Sequence, residues 1–249
     1  MLSARSLLVR GMLVGLVAGV AAYLFATLFG EGPLGQAIGF ESAHGHSHGE
    51  AGEPELVGRA VQSTLGLATA TLVYGVALGG LFALAFAVAY GRIGRFDARA
   101  TAALVGLGGF LTVAFVPFLK YPANPPATGD PDTLDQRTGL YFLMIVIAVA
   151  VGLLALQLGR WLHGRYGAWN ATILAVGAYA VLVAVVQLAL PTIGEVPDGF
   201  PALVLWKFRL ASLGTQFVTW ATLGLLFGAL TERHLRLRSA PATRASTPV

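Results

Sequence analysis

The chain is 249 residues long, 56% hydrophobic and only 11% charged, with a formal net charge of +4. An ordinary soluble domain carries roughly 25% charged residues; here the deficit runs along the whole length, which excludes both a soluble globule and a soluble domain on a single anchor. Cysteine is absent, which excludes disulfides, thiolate metal sites and thiol redox chemistry.

A helix crossing the hydrocarbon core needs about 20 apolar residues, because it rises 1.5 Å per residue through roughly 30 Å. Charge-free windows of that kind occur at Leu7–Phe29 (interrupted only by Arg10), Leu65–Tyr90, Ala100–Leu119, Thr138–Gly159, Ala168–Leu190 and Leu210–Thr231. The predicted fold is an all-α integral membrane protein, a six-helix transmembrane bundle. Residues 1–234 form its single transmembrane domain, with a His-rich outer loop at 40–55, and residues 235–249 are expected to be a flexible tail. The first window has an apolar stretch longer than a signal-peptide core and no small-x-small site after it, so it is expected to stay as a helix.

Charge placement orients the bundle. Arg5 and Arg10, the turn with Arg92, Arg95 and Arg99, the turn with Arg160 and Arg165, and the tail with Arg233, Arg236, Arg238 and Arg244 hold 11 of the 16 basic residues. Only Asp97 and Glu232 of the 12 acids lie on that side. Cytoplasmic loops carry the Lys/Arg excess, so both termini are expected in the cytoplasm. A basic balance sorted this way belongs to membrane topology and implies no nucleic-acid partner.

Glycines recur four residues apart at Gly11, Gly15 and Gly19, at Gly75 and Gly79, and at Gly224 and Gly228, a spacing that suits close helix packing where lipid offers no hydrophobic drive. Helix 1 followed by Gly30-Glu31-Gly32-Pro33 also looks like helix 5 followed by Gly194-Glu195-Val196-Pro197. The pattern suggests that hairpins 1–2 and 5–6 are a parallel repeat.

The first outer loop reads Glu41-Ser-Ala-His44-Gly-His46-Ser-His48-Gly-Glu50. Neutral imidazole binds cobalt, nickel, copper and zinc, Gly and Ser between the ligands let a short loop fold round one ion, and Glu41 or Glu50 adds oxygen. His44, His46 and His48, with Glu41 and Glu50, are therefore the candidate metal ligands, against the plainer reading of a solvated linker. The second outer loop, Lys120-Tyr-Pro-Ala-Asn124-Pro-Pro126, is held extended by its prolines and fits either a lid or a connector. The segment Trp206-Lys207-Phe208-Arg209 alternates aromatic and basic residues as an interfacial anchor does. Within the spans no charged residue or histidine sits centrally; the polar side chains are Tyr74, Asn170, Gln187 and Gln216, with some Ser and Thr. Intramembrane charges normally mark proton relays, and neither such a relay nor a catalytic dyad is visible, so no enzyme is expected. His163 and His234 read as ordinary cytoplasmic residues.

The histidine loop, the entry Gln62-Ser-Thr-Leu-Gly-Leu67, the segment Phe118-Leu-Lys-Tyr-Pro-Ala-Asn-Pro-Pro126, and Glu195-Val-Pro197 with Phe208-Arg-Leu-Ala-Ser-Leu-Gly214 resemble the CbtA family over nearly the whole chain. CbtA proteins are predicted bacterial cobalt transporter subunits of the inner membrane. The resemblance implies cobalt uptake linked to cobalamin supply, and a small single-helix partner, CbtB. On this basis the chain is expected to be a membrane subunit of a divalent-metal uptake system, with Co2+ as cargo and no permanently bound cofactor. The alternative is a non-transporting metal sensor or assembly protein. Imidazole ligands do not themselves separate cobalt from nickel or zinc, and no G-x-x-x-x-G-K-[ST] motif supplies an energy source.

Overall fold

The computed structural model describes residues 3–45 and 58–239, in which every regular element is helical. Five helices are long and apolar enough to cross a membrane. Three of them are α1 (Ala4–Phe29), α3 (Arg59–Ala89) and α4 (Ala98–Lys120). Between the first two lies a shorter helix, α2 (Glu31–Gly45). The fourth long helix, Leu134–Ala189, has 56 residues. Straight, it would be about 84 Å long, nearly three times the hydrocarbon thickness.

It folds back instead. Gly167 leaves the helical region at φ 74°, ψ 170°, a conformation open to glycine and strained for any residue with a Cβ. Gly159 then lies against Ala175, and Gly152 against Tyr179, an antiparallel pairing centred on the break. The two arms are α5 (134–166) and α6 (168–189). With α7 (Ala202–Ser239) they complete six crossings, the all-α bundle that the charge-free windows predicted.

Helix ends fall beyond several of those windows. The second crossing starts at Arg59 where the window opens at Leu65, and the last starts at Ala202 where it opens at Leu210. A window without charges marks the hydrocarbon slab, whereas a helix stops only when its backbone bonding stops; Arg and Lys snorkel and so need not end it. Residues 40–45 of the expected loop are likewise helical, as the end of α2.

The densest packing joins α1 to α3 and α7, and α7 to α4. A Cβ on Gly15 would overlap the Gly75 carbonyl oxygen, and one on Gly19 would stand 2.6 Å from the Thr71 carbonyl oxygen. These two helices meet backbone to backbone, as the four-residue spacing suggested. Gly106 and Gly224 bring α4 and α7 together in the same way, with a Cβ on Gly106 only 3.0 Å from the Gly224 Cα. Phe82, Phe86 and Phe227 fill the centre edge to face, their centroids 5.0–5.4 Å apart.

The hairpin α5–α6 sits outside this core and is held mainly by the end of α4, through Val116, Tyr121, Met144, Ala148 and Val183. Among the described residues its helix α6 has no extensive packing against α7. The first and second crossings (α1, α3) are therefore tightly paired and the fifth and sixth (α6, α7) are not, so the likeness in their sequences does not extend to their packing.

The Arg-rich segments gather at one end. Arg10 Nη1 donates to Thr231 Oγ1 (3.1 Å), and Arg160 Nη2 donates to the Arg92 carbonyl (2.9 Å). The acid-rich segments gather at the other end, where Glu31 pairs with Arg59 and Glu195 with Arg137.

Candidate functional site

The proline-rich segment after α4 builds the outer end. Pro117 has no N–H to offer the Val113 carbonyl; the Tyr141 hydroxyl donates to that oxygen at 3.4 Å. Just before it the helix widens into a π turn, Phe110–Phe115, a local form that recurs at functional sites. Past Lys120 the chain leaves the helix and is tied down by side chains. Lys120 Nζ reaches Thr192 Oγ1 (3.0 Å) and the Tyr121 hydroxyl donates to the Pro191 carbonyl (2.9 Å). Burial pushes the Tyr121 phenol pKa up, which keeps it protonated and donating.

These ties bring three distant residues together. Asn124 Nδ2 donates to Glu195 Oε2 (3.1 Å), and Arg209 Nη2 donates to Asn124 Oδ1 (2.9 Å). Glu195 also accepts from Thr133 Oγ1 and from Arg137 Nη1. Its side chain is only 1% exposed, so one carboxylate with three side-chain donors closes a polar knot between the proline-rich segment, α5, the 190–201 loop and α7. A buried carboxylate is tolerable only when paired and hydrogen-bonded in this way.

Beneath the knot lies a cavity of about 300 Å³, walled by Phe118, Asn124, Arg137, Tyr141, Ser212 and Gln216 among others. Gln216 stands seven residues, about 10 Å, inward of Arg209 along α7. Its Oε1 accepts from the Tyr74 hydroxyl of α3 at 3.4 Å. The cavity thus runs from the Arg137 side chain beneath the knot to the neutral oxygen of Gln216. The knot holds two guanidiniums and one carboxylate, so a bare dication meets net positive charge while it is closed.

Glu41 is exposed in the last turn of α2, and His44 lies in the same turn. His46, His48 and Glu50 fall outside the described residues, among which no group of three or more His, Asp or Glu could hold a metal ion. The polar residues of the spans separate. Gln216 lines the cavity, Gln187 Nε2 donates to the Val116 carbonyl (2.9 Å), and Asn170 is exposed on α6. From the sequence Glu195 and Arg137 have no assigned role and Arg209 reads chiefly as an anchor; the one available signal is that Asn124, Glu195 and Arg209 stand in segments that carry the family resemblance.

The family model described as "Probable cobalt transporter subunit (CbtA)" matches residues 4–232. The chain belongs to the CbtA family. The CbtA match covers all six crossings and takes in the histidine tract, the proline-rich segment, Glu195 and Arg209. No curated protein and no solved structure matches the chain. In a CbtA subunit the knot and the cavity are the features to which a transport role has to be fitted.

Proposed function

We propose that this CbtA chain is the multi-pass inner-membrane subunit through which a divalent transition metal, cobalt, enters, without itself being an enzyme or holding a resident cofactor. The His44/His46/His48 tract, with Glu41 and Glu50, captures the ion outside. The knot admits it when Glu195 exchanges Arg137 for the metal, and the cavity leads it to Gln216 and Tyr74. The supporting observation is the cavity itself, which lies beneath a buried carboxylate and reaches from Asn124 and Arg137 to the neutral side chain of Gln216. A small single-helix subunit of the CbtB type supplies what this chain lacks.

The test is cobalt accumulation in cells expressing the chain with and without that partner. The triple change His44→Ala/His46→Ala/His48→Ala is expected to lower accumulation at scarce cobalt and to spare it at high cobalt, because the tract concentrates the ion and does not conduct it. Imidazole ligates only when neutral, and free imidazole titrates near 6.5, so the wild-type advantage should shrink as external pH falls below about 6. Superimposed dose–response curves at low cobalt would return the tract to a solvated linker.

Gln216→Leu is expected to reduce accumulation about tenfold at every cobalt concentration, as for about 1.4 kcal/mol lost from the ion's coordination. Asn170→Leu, at an exposed position, should leave it unchanged. If neither the triple change nor Gln216→Leu alters uptake, the metal sensor or assembly protein becomes the better reading.

A further inference from the structure

The Arg-rich end carries a second cavity that the transport reading does not use. It is an open groove of about 720 Å³ between the first half of α1 and the last part of α7. At the end of the groove stand Arg5, Arg10 and Arg233; below them lie Leu13, Leu226 and Leu230. None of the three guanidiniums has a carboxylate partner among the described residues, and the nearest acid in sequence, Glu232, is engaged by Arg236 and the Ala98 N–H.

Arg10 is the one basic residue inside the apolar window of the first crossing. It lies five residues, about 7.5 Å, deeper than Arg5. Its Nη1 donates to Thr231 Oγ1, a hydroxyl fully buried between the helices, so one corner of its guanidinium is fixed and the rest lines the groove. The wall below is apolar and open, with Leu13 61% and Leu230 40% exposed.

We propose that this groove binds one anionic phospholipid from the leaflet on the Arg-rich side. Its phosphate is held by Arg5, Arg10 and Arg233, and one acyl chain lies along Leu13, Leu226 and Leu230. Basic pockets between transmembrane helices on the cytoplasmic side suit such headgroups. Charge complementarity selects the occupant: three cations without counter-charge at the headgroup level fit a phosphodiester, and the apolar wall at hydrocarbon depth fits its tail. A transmembrane helix in the same place would have to bring acids to that level.

The experiment uses the full-length chain purified in a neutral detergent, with phosphatidylglycerol retention counted by native mass spectrometry. Each surface guanidinium contributes about fivefold to anionic-lipid binding, so Arg5→Gln/Arg233→Gln is expected to weaken retention roughly 30-fold. Both residues are exposed and make no hydrogen bond or ion pair among the described residues. Arg10→Gln should weaken retention too, and its melting temperature shows separately whether the Thr231 contact matters for folding. Arg95→Gln/Arg165→Gln removes the same charge from the same end and should leave retention unchanged. Equal loss in that control, equal retention of phosphatidylcholine, or displacement of the lipid by inorganic phosphate would each overturn the proposal.

Discussion

Gly15→Ala is expected to lower the melting temperature of the detergent-solubilised protein by on the order of 10 °C, although it adds a single methyl group. That methyl would overlap the Gly75 carbonyl oxygen and stand 2.9 Å from its carbon and 3.1 Å from the Gly79 Cα. Every obstructing atom is backbone, so no side chain can swing aside. The helices have to separate, and doing so also loosens the contacts at Gly11 and Gly19. Overpacking of a core costs about 1–3 kcal/mol, and more where nothing can yield; the upper end of that range gives the shift expected here. Gly177→Ala is the matched control, since a Cβ there meets nothing within 4 Å. If Gly15→Ala melts together with Gly177→Ala and the wild type, the close backbone approach of α1 and α3 is not what holds the bundle.

The second large effect is on transport. Glu195→Gln is expected to abolish most cobalt accumulation while leaving the protein folded. The amide keeps one acceptor oxygen, enough for Thr133 or for Asn124, but loses the charge that holds Arg137 and, on the proposed mechanism, receives the ion in its place. Glu195→Ala goes further, leaving Arg137 without its acceptor and Asn124 and Thr133 with only the Thr128 and Asp130 carbonyls. Removing one partner from a buried pair costs about 3–5 kcal/mol; Arg137 is a quarter exposed, so water recovers part of that and about 2 kcal/mol is expected. Accumulation and thermal melting measured on the same preparations separate the two effects. Wild-type uptake in Glu195→Gln would remove Glu195 from the path, whatever happens to stability.

The contrast between these sites shows what the sequence makes legible. The spans could be read because a charge in hydrocarbon is costly, so its absence over about 20 residues is informative. The glycine faces could be read because four-residue spacing already places residues on one side of a helix. The turn between the fourth and fifth spans could be read from its arginines, and Gly167 supplies the break. The knot could not. Asn124 lies 71 residues from Glu195 and 85 from Arg209, and no local periodicity connects positions in two separate loops and a helix. Glu195 looked like one more acid on an acid-rich face; only the fold shows it buried. The helical end of α2 was hidden for the opposite reason. Its Gly/Ser/His composition reads as loop, yet Ala37 and Phe40 dock it against Phe200 and Val204, and tertiary packing overrides weak propensity.

The placement of the α5–α6 hairpin has a mechanical consequence. Stiffness in this molecule is unevenly distributed. The unit of α1, α3, α4 and α7 is locked by interpenetrating backbones and resists deformation, whereas the hairpin is joined to it mainly through the short stretch around Val116 and Tyr121, next to a widened helical turn and a proline. Compliance is therefore greatest along the line where the hairpin meets the unit. The cavity straddles that line, with Phe118 on the α4 side, Arg137 and Tyr141 on the hairpin, and Ser212 and Gln216 on α7. A small rotation of the hairpin changes the volume of the cavity and the reach of Arg137 toward Glu195 together, while the glycine-packed helices stay as they are.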